Sequence, residues 1–216
     1  MKSLHRHALA ALFAAGLVLS LGLPTASAAM PKKDYPTYEI KGYARDVTGY
    51  SYPIRRGFYD NVSNKGFGFD KIYHKHGIKS IGAIQFVFRS PQLAYQGPDV
   101  QYTAYANKLK CNAQHTKCTV VESYKVLGIA TKNYAKDWHT MPVNGVLGVK
   151  TVYCVGPTLC PSWVTGALDG TLKPLSAARS MEAKPSTQEE ITMPSYVPIG
   201  SVGTKTLKEL VDDAAE

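Results

Sequence analysis

Four cysteines constrain this chain more than any other feature, because they stand in two close pairs, Cys111 with Cys118 and Cys154 with Cys160. An even number in an exported chain reads as two disulfides, and four cysteines allow three connectivities. The near-neighbour pairing, Cys111–Cys118 and Cys154–Cys160, is favoured, since each bridge would close a short loop after a predicted strand. Each would contribute about 2–3 kcal/mol by restricting the unfolded chain. A zinc site is the weaker reading: neither pair has C-x-x-C spacing, and an oxidising route works against thiolate ligands.

Export itself is read from the N-terminus. Lys2 and Arg6 precede an uncharged apolar run from Ala8 to Leu23, and Ala26-Ser27-Ala28 supplies small residues for a peptidase. The run is shorter than the roughly 20 residues a membrane-crossing helix needs. Residues 1–28 therefore read as a cleavable signal peptide of bacterial style, with the mature chain starting at Ala29, secreted and not stably inserted in a membrane.

Charge is uneven along what remains. Residues 30–170 carry 18 Lys and Arg against 9 Asp and Glu, whereas residues 171–216 carry 5 against 7. A basic body with an acidic tail suits RNA or another polyanion as partner, and the tail could shield a site or dock a neutralising immunity protein.

Patterning divides the mature chain into three. Residues 29–63, rich in Tyr, Gly, Pro and Arg, read as an extended N-terminal arm. Residues 64–168 read as a basic α+β domain with the two disulfides. Its short helix at Lys71–Gly77 is stopped by Gly77, and the alternating strands Val100–Cys111 and Cys118–Ala130 form a hairpin around the polar loop Asn112–Lys117. Residues 81–89 fit helix or strand, with Phe86-Val87-Phe88 tilting them toward strand. Val146–Val155 is a third strand. Residues 169–216 read as a Pro-, Ser- and Thr-punctuated irregular tail ending in a short helix around Leu207, Leu210 and Val211. The fold class is α+β, a short helical segment packed on a curved antiparallel sheet.

The chemistry-bearing stretch is Gly66-Phe67-Gly68-Phe69-Asp70-Lys71-Ile72-Tyr73-His74-Lys75-His76. It resembles the GFG-x-x-KI-x-x-KH element of bacterial nuclease toxins with the fold shared by barnase, EndoU, colicin E5 and RelE. Val149-Lys150-Thr151-Val152-Tyr153 resembles the closing strand of such domains, with Cys154 where proline is usual. The resemblance covers residues 66–155. It implies metal-independent RNA cleavage without a cofactor, the 2′-hydroxyl attacking phosphorus to leave a 2′,3′-cyclic phosphate. That reaction needs a base, an acid and positive charge for the phosphorane. His76 is the first acid/base candidate, His74 the second, and His139 a possible partner from the loop before the last strand. Lys71, Lys75 and Lys150 would neutralise phosphate, and Thr151 and Tyr153, two apart on a strand, would share a face toward it.

Simpler roles exist for each. His and Lys also favour a helix C-terminus for its dipole, and Thr and Tyr are ordinary strand residues. A His-x-His metal pair is disfavoured on a helix, where positions two apart do not face one way. The chain lacks G-x-S-x-G, H-E-x-x-H, Walker and G-x-G-x-x-G motifs. The alternative to a nuclease is a secreted non-catalytic binding or inhibitor module, presenting its stapled loops to an envelope polymer or protein.

Overall fold

Two small hairpins precede the helices in this computed structural model, which describes residues 34–170, 188–199 and 205–215. The expected signal peptide lies outside the described residues. Strand β1 (Ile40–Arg45) pairs with β2 (Ser51–Arg55), and β3 (Phe58–Asp60) with β4 (Lys65–Phe67). Helices α1 (Gly68–His76) and α2 (Ile81–Phe88) follow. The main sheet is antiparallel in the order β5 (Leu93–Gln96), β6 (Asp99–Asn112), β7 (Cys118–Trp138) and β8 (Met141–Cys154). Helix α3 (Ser162–Leu168) comes next. Then β9 (Gln188–Ser195) joins β6 on the edge that β5 also uses, and α4 (Leu207–Ala215) comes last. The fold is α+β.

Alternation explains the sheet. Val100, Tyr102, Ala104 and Ala106 of β6, with Val126 and Ala130 of β7 and Val152 of β8, turn to one face and form the main core with Ile72, Ala83, Ile84, Val87, Phe88, Val164 and Leu168 of the helices. Gln101, Thr103 and Tyr105 turn the other way. Gly128 lets α2 sit directly on the sheet, because a Cβ there would come within 2.9 Å of Val87 and 3.0 Å of Phe88. Register shifts along the β7–β8 pair at Ile129/Ala130, Thr131/Tyr134 and Ala135/Asp137 are bulges, which bend a strand and increase its twist.

Both bridges form as near-neighbour pairs. Cys111–Cys118 closes the β6–β7 turn with Cα atoms 4.1 Å apart, and Cys154–Cys160 ties the end of β8 to the loop before α3 at 5.5 Å. The hairpin, the third strand and the terminal helix match their expected places.

Three expectations are corrected. Within the described residues, the stretch read as an N-terminal arm is folded against the body. The Arg55 guanidinium donates from Nε to the Val146 carbonyl at 2.9 Å and from Nη1 to the Tyr38 carbonyl at 2.7 Å, and the Thr37 hydroxyl donates to the Pro142 carbonyl. Phe58 and Phe67 make a second core with Met141, Val143 and Leu147. Residues 81–88 are helix, not strand. Ser80 caps them by accepting from the Ala83 N–H, and burial of Ala83, Ile84, Val87 and Phe88 follows helical spacing, so packing overrides the β preference of Phe and Val. The tail is not irregular throughout: residues 188–195 form a strand. Ile191 and Met193 bury against Leu109, Cys111 and Cys118, together with Ile199 and Leu210. Pro194 is tolerated because β9 is an edge strand.

Candidate functional site

The glycine-rich element is first a packing device. Gly66 (φ 149°) lies against the Phe58 carbonyl and Gly68 (φ 73°) against the Arg55 carbonyl, so close that a Cβ would stand 2.2 and 2.7 Å from those oxygens. Phe67 between them is fully buried. This turn launches α1 along β8. Gly77, left-handed at φ 74°, ends the helix by donating its N–H to the Ile72 and Tyr73 carbonyls.

Helical spacing then sorts the candidates. Ile72 and His76, four apart, share the buried face, and Lys71 and Lys75 share the neighbouring one. His76 is 8% exposed, and its ring centre lies 5.5 Å from that of Tyr153. Its Nδ1 faces the Thr158 carbonyl at 3.4 Å, and its own carbonyl accepts from the Cys160 N–H at 2.9 Å. Nδ1 therefore carries the proton in the neutral ring, which leaves Nε2 as a proton acceptor. Burial, opposed by the Thr158 carbonyl and reinforced by the Lys75 and Lys71 charges, pulls the His76 pKa down to about 4. Lys71 is half-buried, and desolvation followed by the Lys75 and Lys150 charges holds its ammonium below the ordinary lysine range.

Strand β8 supplies the opposite wall. Thr151 pairs with Ile129 and Tyr153 with Leu127, so both lie on the face away from the main core. The Thr151 hydroxyl is buried and has no hydrogen-bond partner, as is the Trp138 indole N–H. Lys150 falls at the bulge between the Ile129–Thr151 and Ala130–Val149 pairs. It is held by Asp99 at 2.6 Å, with its ammonium 5.3 Å from the centre of the Trp138 ring. Its charge is thus already partnered, unlike that of Lys71, which makes no ion pair among the described residues.

His76, Tyr153, Thr151, Lys71, Lys75 and Lys150 accordingly converge where α1 meets β8. His74, two positions from His76, is turned to another side of the helix, exposed and edge-on to Tyr73 at 4.9 Å. It lines a cavity of about 580 Å³ with Tyr59, Asn61, Leu159, Lys75 and Thr158, so this cavity adjoins the His76 site. His139 sits exposed at the tip of the β7–β8 turn, where it and Thr140 adopt positive φ (48° and 68°). Desolvation, Lys65 and Lys71 lower its pKa, but no bond or ring contact links it to His76. Reading the sequence missed three contributors: the Thr158 carbonyl, the Cys160 N–H and Asp99. Nothing local marks them, since each acts through a tertiary contact; only the Cys154–Cys160 spacing signalled that residues 155–159 would be held.

No family model, no curated protein and no solved structure matches this chain. Among the described residues there is no cluster of His, Cys, Asp and Glu able to hold a metal ion, and no helix long and apolar enough to cross a membrane.

Proposed function

We propose that the protein is an exported, metal-independent endoribonuclease that cleaves RNA by 2′-hydroxyl transesterification. The observation that carries this reading is the packing of a neutral, buried His76 against Tyr153, beside two lysines of the same helix. Neutral His76 accepts the 2′-hydroxyl proton at Nε2 while the 2′-oxygen bonds to phosphorus. The P–O5′ bond breaks, and the leaving oxygen takes a proton from Lys71, whose lowered pKa makes its ammonium a better donor than an exposed lysine. Lys71 and Lys75 offset charge on the phosphorane, and the unpartnered Thr151 hydroxyl donates to a non-bridging oxygen. The products are a 2′,3′-cyclic phosphate and a 5′-hydroxyl. Secretion would keep such an activity from the producing cell's own RNA, and two disulfides fit that route.

The test is incubation of the mature protein with RNA in EDTA and analysis of the ends. Cyclic phosphate is expected, with a loss of about 100-fold or more for His76→Ala. Absence of cleavage, or full activity in that variant, refutes the proposal.

One observation favours the binding-module reading instead. Val155 and Leu159 on the stapled loop are 45% and 60% exposed, apolar surface of the kind a partner covers. That reading expects His76→Ala to leave function intact and Leu159→Glu to abolish binding.

A further inference from the structure

The sheet face that carries Tyr153 continues across β7 and β6 to a second concavity. Cross-strand register fixes the path: Tyr153 pairs with Leu127, and Leu127 with Thr103, so these three residues form one row across three strands. Neighbouring strands lie about 4.8 Å apart, which sets Thr103 about 10 Å from Tyr153. Thr103 lines a cavity of about 380 Å³, a size typical of small-ligand sites.

That cavity exists because β6 changes partner there. β5 pairs with Asp99–Tyr102 and β9 with Tyr105–Asn112. In the gap the Thr103 N–H donates to the Gln92 carbonyl at 2.9 Å, and the Thr103 carbonyl accepts from the Ser90 hydroxyl at 2.5 Å, so the backbone is satisfied while the groove stays open. Its walls suit a base. Tyr196 lines the groove from the helix side of the gap, where its ring packs on the main core, stacked on Phe86 at 4.6 Å and 12°, and its hydroxyl donates to the Phe86 carbonyl at 3.3 Å, so that it is fixed before any ligand arrives. Tyr105, half-buried, presents a second ring. Gln92 brings an amide that both donates and accepts, as base edges require; Gln101, whose Oε1 accepts from Gln96 at 3.1 Å, adds its NH2 donors, and Lys125 lies exposed at the rim. No acidic residue lines the cavity.

We infer that this groove is a nucleotide subsite, holding a base of single-stranded RNA against Tyr105 and Tyr196 and its phosphate near Lys125, while the scissile bond lies at His76. The inference rests on the ribonuclease reading and extends it: the substrate is single-stranded and reaches past the cut bond across the sheet, and an isolated dinucleotide cannot reach it. Stacking on aromatic rings tolerates any base, and the two amides add preference at that one position.

The experiment compares kcat/KM in EDTA for a dinucleoside monophosphate and for a seven-nucleotide RNA of matching central sequence, using the mature protein, Tyr105→Leu and Lys125→Glu. Lys125 is exposed, so its variant keeps the fold; matching circular dichroism melts check Tyr105→Leu. The expected result is a preference of about tenfold or more for the longer substrate, reduced toward unity in both variants. An unchanged preference in both variants overturns the subsite while leaving the ribonuclease intact. A non-cleavable 2′-O-methyl heptanucleotide, followed by fluorescence anisotropy, separates the two failures. If nothing is cleaved but the heptanucleotide binds and Tyr105→Leu weakens it at least fivefold, the subsite stands and the ribonuclease reading falls. If it does not bind, both fall.

Discussion

Removing the Cys154–Cys160 bridge should disable His76 without destabilising the protein more than removing Cys111–Cys118 does. The two bridges are closely matched as staples. They span 6 and 7 residues of sequence and are equally buried, so the loop-entropy model assigns each about 2 kcal/mol. They differ in what their loops touch. Cys160 donates its N–H to the His76 carbonyl at 2.9 Å, and Thr158 within the loop faces Nδ1 at 3.4 Å. Cys154 follows Tyr153, the ring against which His76 packs. In a Cys154→Ala/Cys160→Ala protein the loop is released, and the two hydrogen bonds that fix His76, one to its ring and one to its backbone carbonyl, weaken together. At about 1 kcal/mol each they correspond to roughly a 30-fold loss in kcat/KM. The Cys111→Ala/Cys118→Ala protein should stay within about threefold of the unaltered one at a temperature where both are folded. The same comparison has a readout that needs no activity. Histidine titration by NMR should find His76 near 4 in the unaltered and Cys111/Cys118 proteins, and moved toward 6.5 when the Cys154–Cys160 loop opens and water reaches the ring. Equal activities and an unmoved His76 titration in the two variants would refute the reasoning, since the loop would then be a staple and nothing more.

Other outcomes follow from the same geometry. With His76 neutral at about pH 4 and above, the acidic limb of kcat/KM should have its midpoint near 4 and not near 6.5, measured with a dinucleotide over pH 3–8. Stability should respond as well. Above pH 6.5 neither state protonates His76; between 6.5 and 4 only the unfolded state does, so about 3 kcal/mol is lost as pH falls through that window, a loss that His76→Gln should remove from urea-unfolding curves. Thr151→Val replaces a buried, unpartnered hydroxyl with a methyl of the same shape, and should raise stability by about 1 kcal/mol while lowering cleavage, a pairing that calorimetry and kinetics together can read. Deleting residues 188–216 strips β9 and α4 from Leu109, Cys111 and Cys118, and should yield a protein that aggregates or melts at least 10 °C lower, contrary to a separable tail.

How much of this the residues announced depends on the range over which each acts. Val100–Cys111 and Cys118–Ala130 declared a hairpin because alternation and the polar loop are local, and the disulfide at its turn is the same statement made twice. Gly77 announced the end of α1 for the same reason. Residues 81–88 could not be read so directly: Phe86, Val87 and Phe88 suit a strand by propensity, and only Gly128, more than forty residues away, makes room for them as a helix on the sheet. Strand β9 was invisible because its partner is an edge of β6 that falls vacant where β5 stops, a fact about topology and not about the sequence around Ile191. The candidate site divides along the same line. The two short motifs pointed to His76, Lys71, Thr151 and Tyr153, which the fold brings together, but they also offered His74, which helix geometry turns away, and Lys150, whose charge Asp99 already holds. Burial was the least legible property, although it decides the chemistry. His74 and His76 are indistinguishable in a string of letters, yet one is an exposed ring beside Tyr73, and the other is a dry imidazole held between Tyr153 and the Thr158 carbonyl. The base proposed above is the second kind, and the residues that bury and orient it lie on a loop to which only the cysteine spacing pointed.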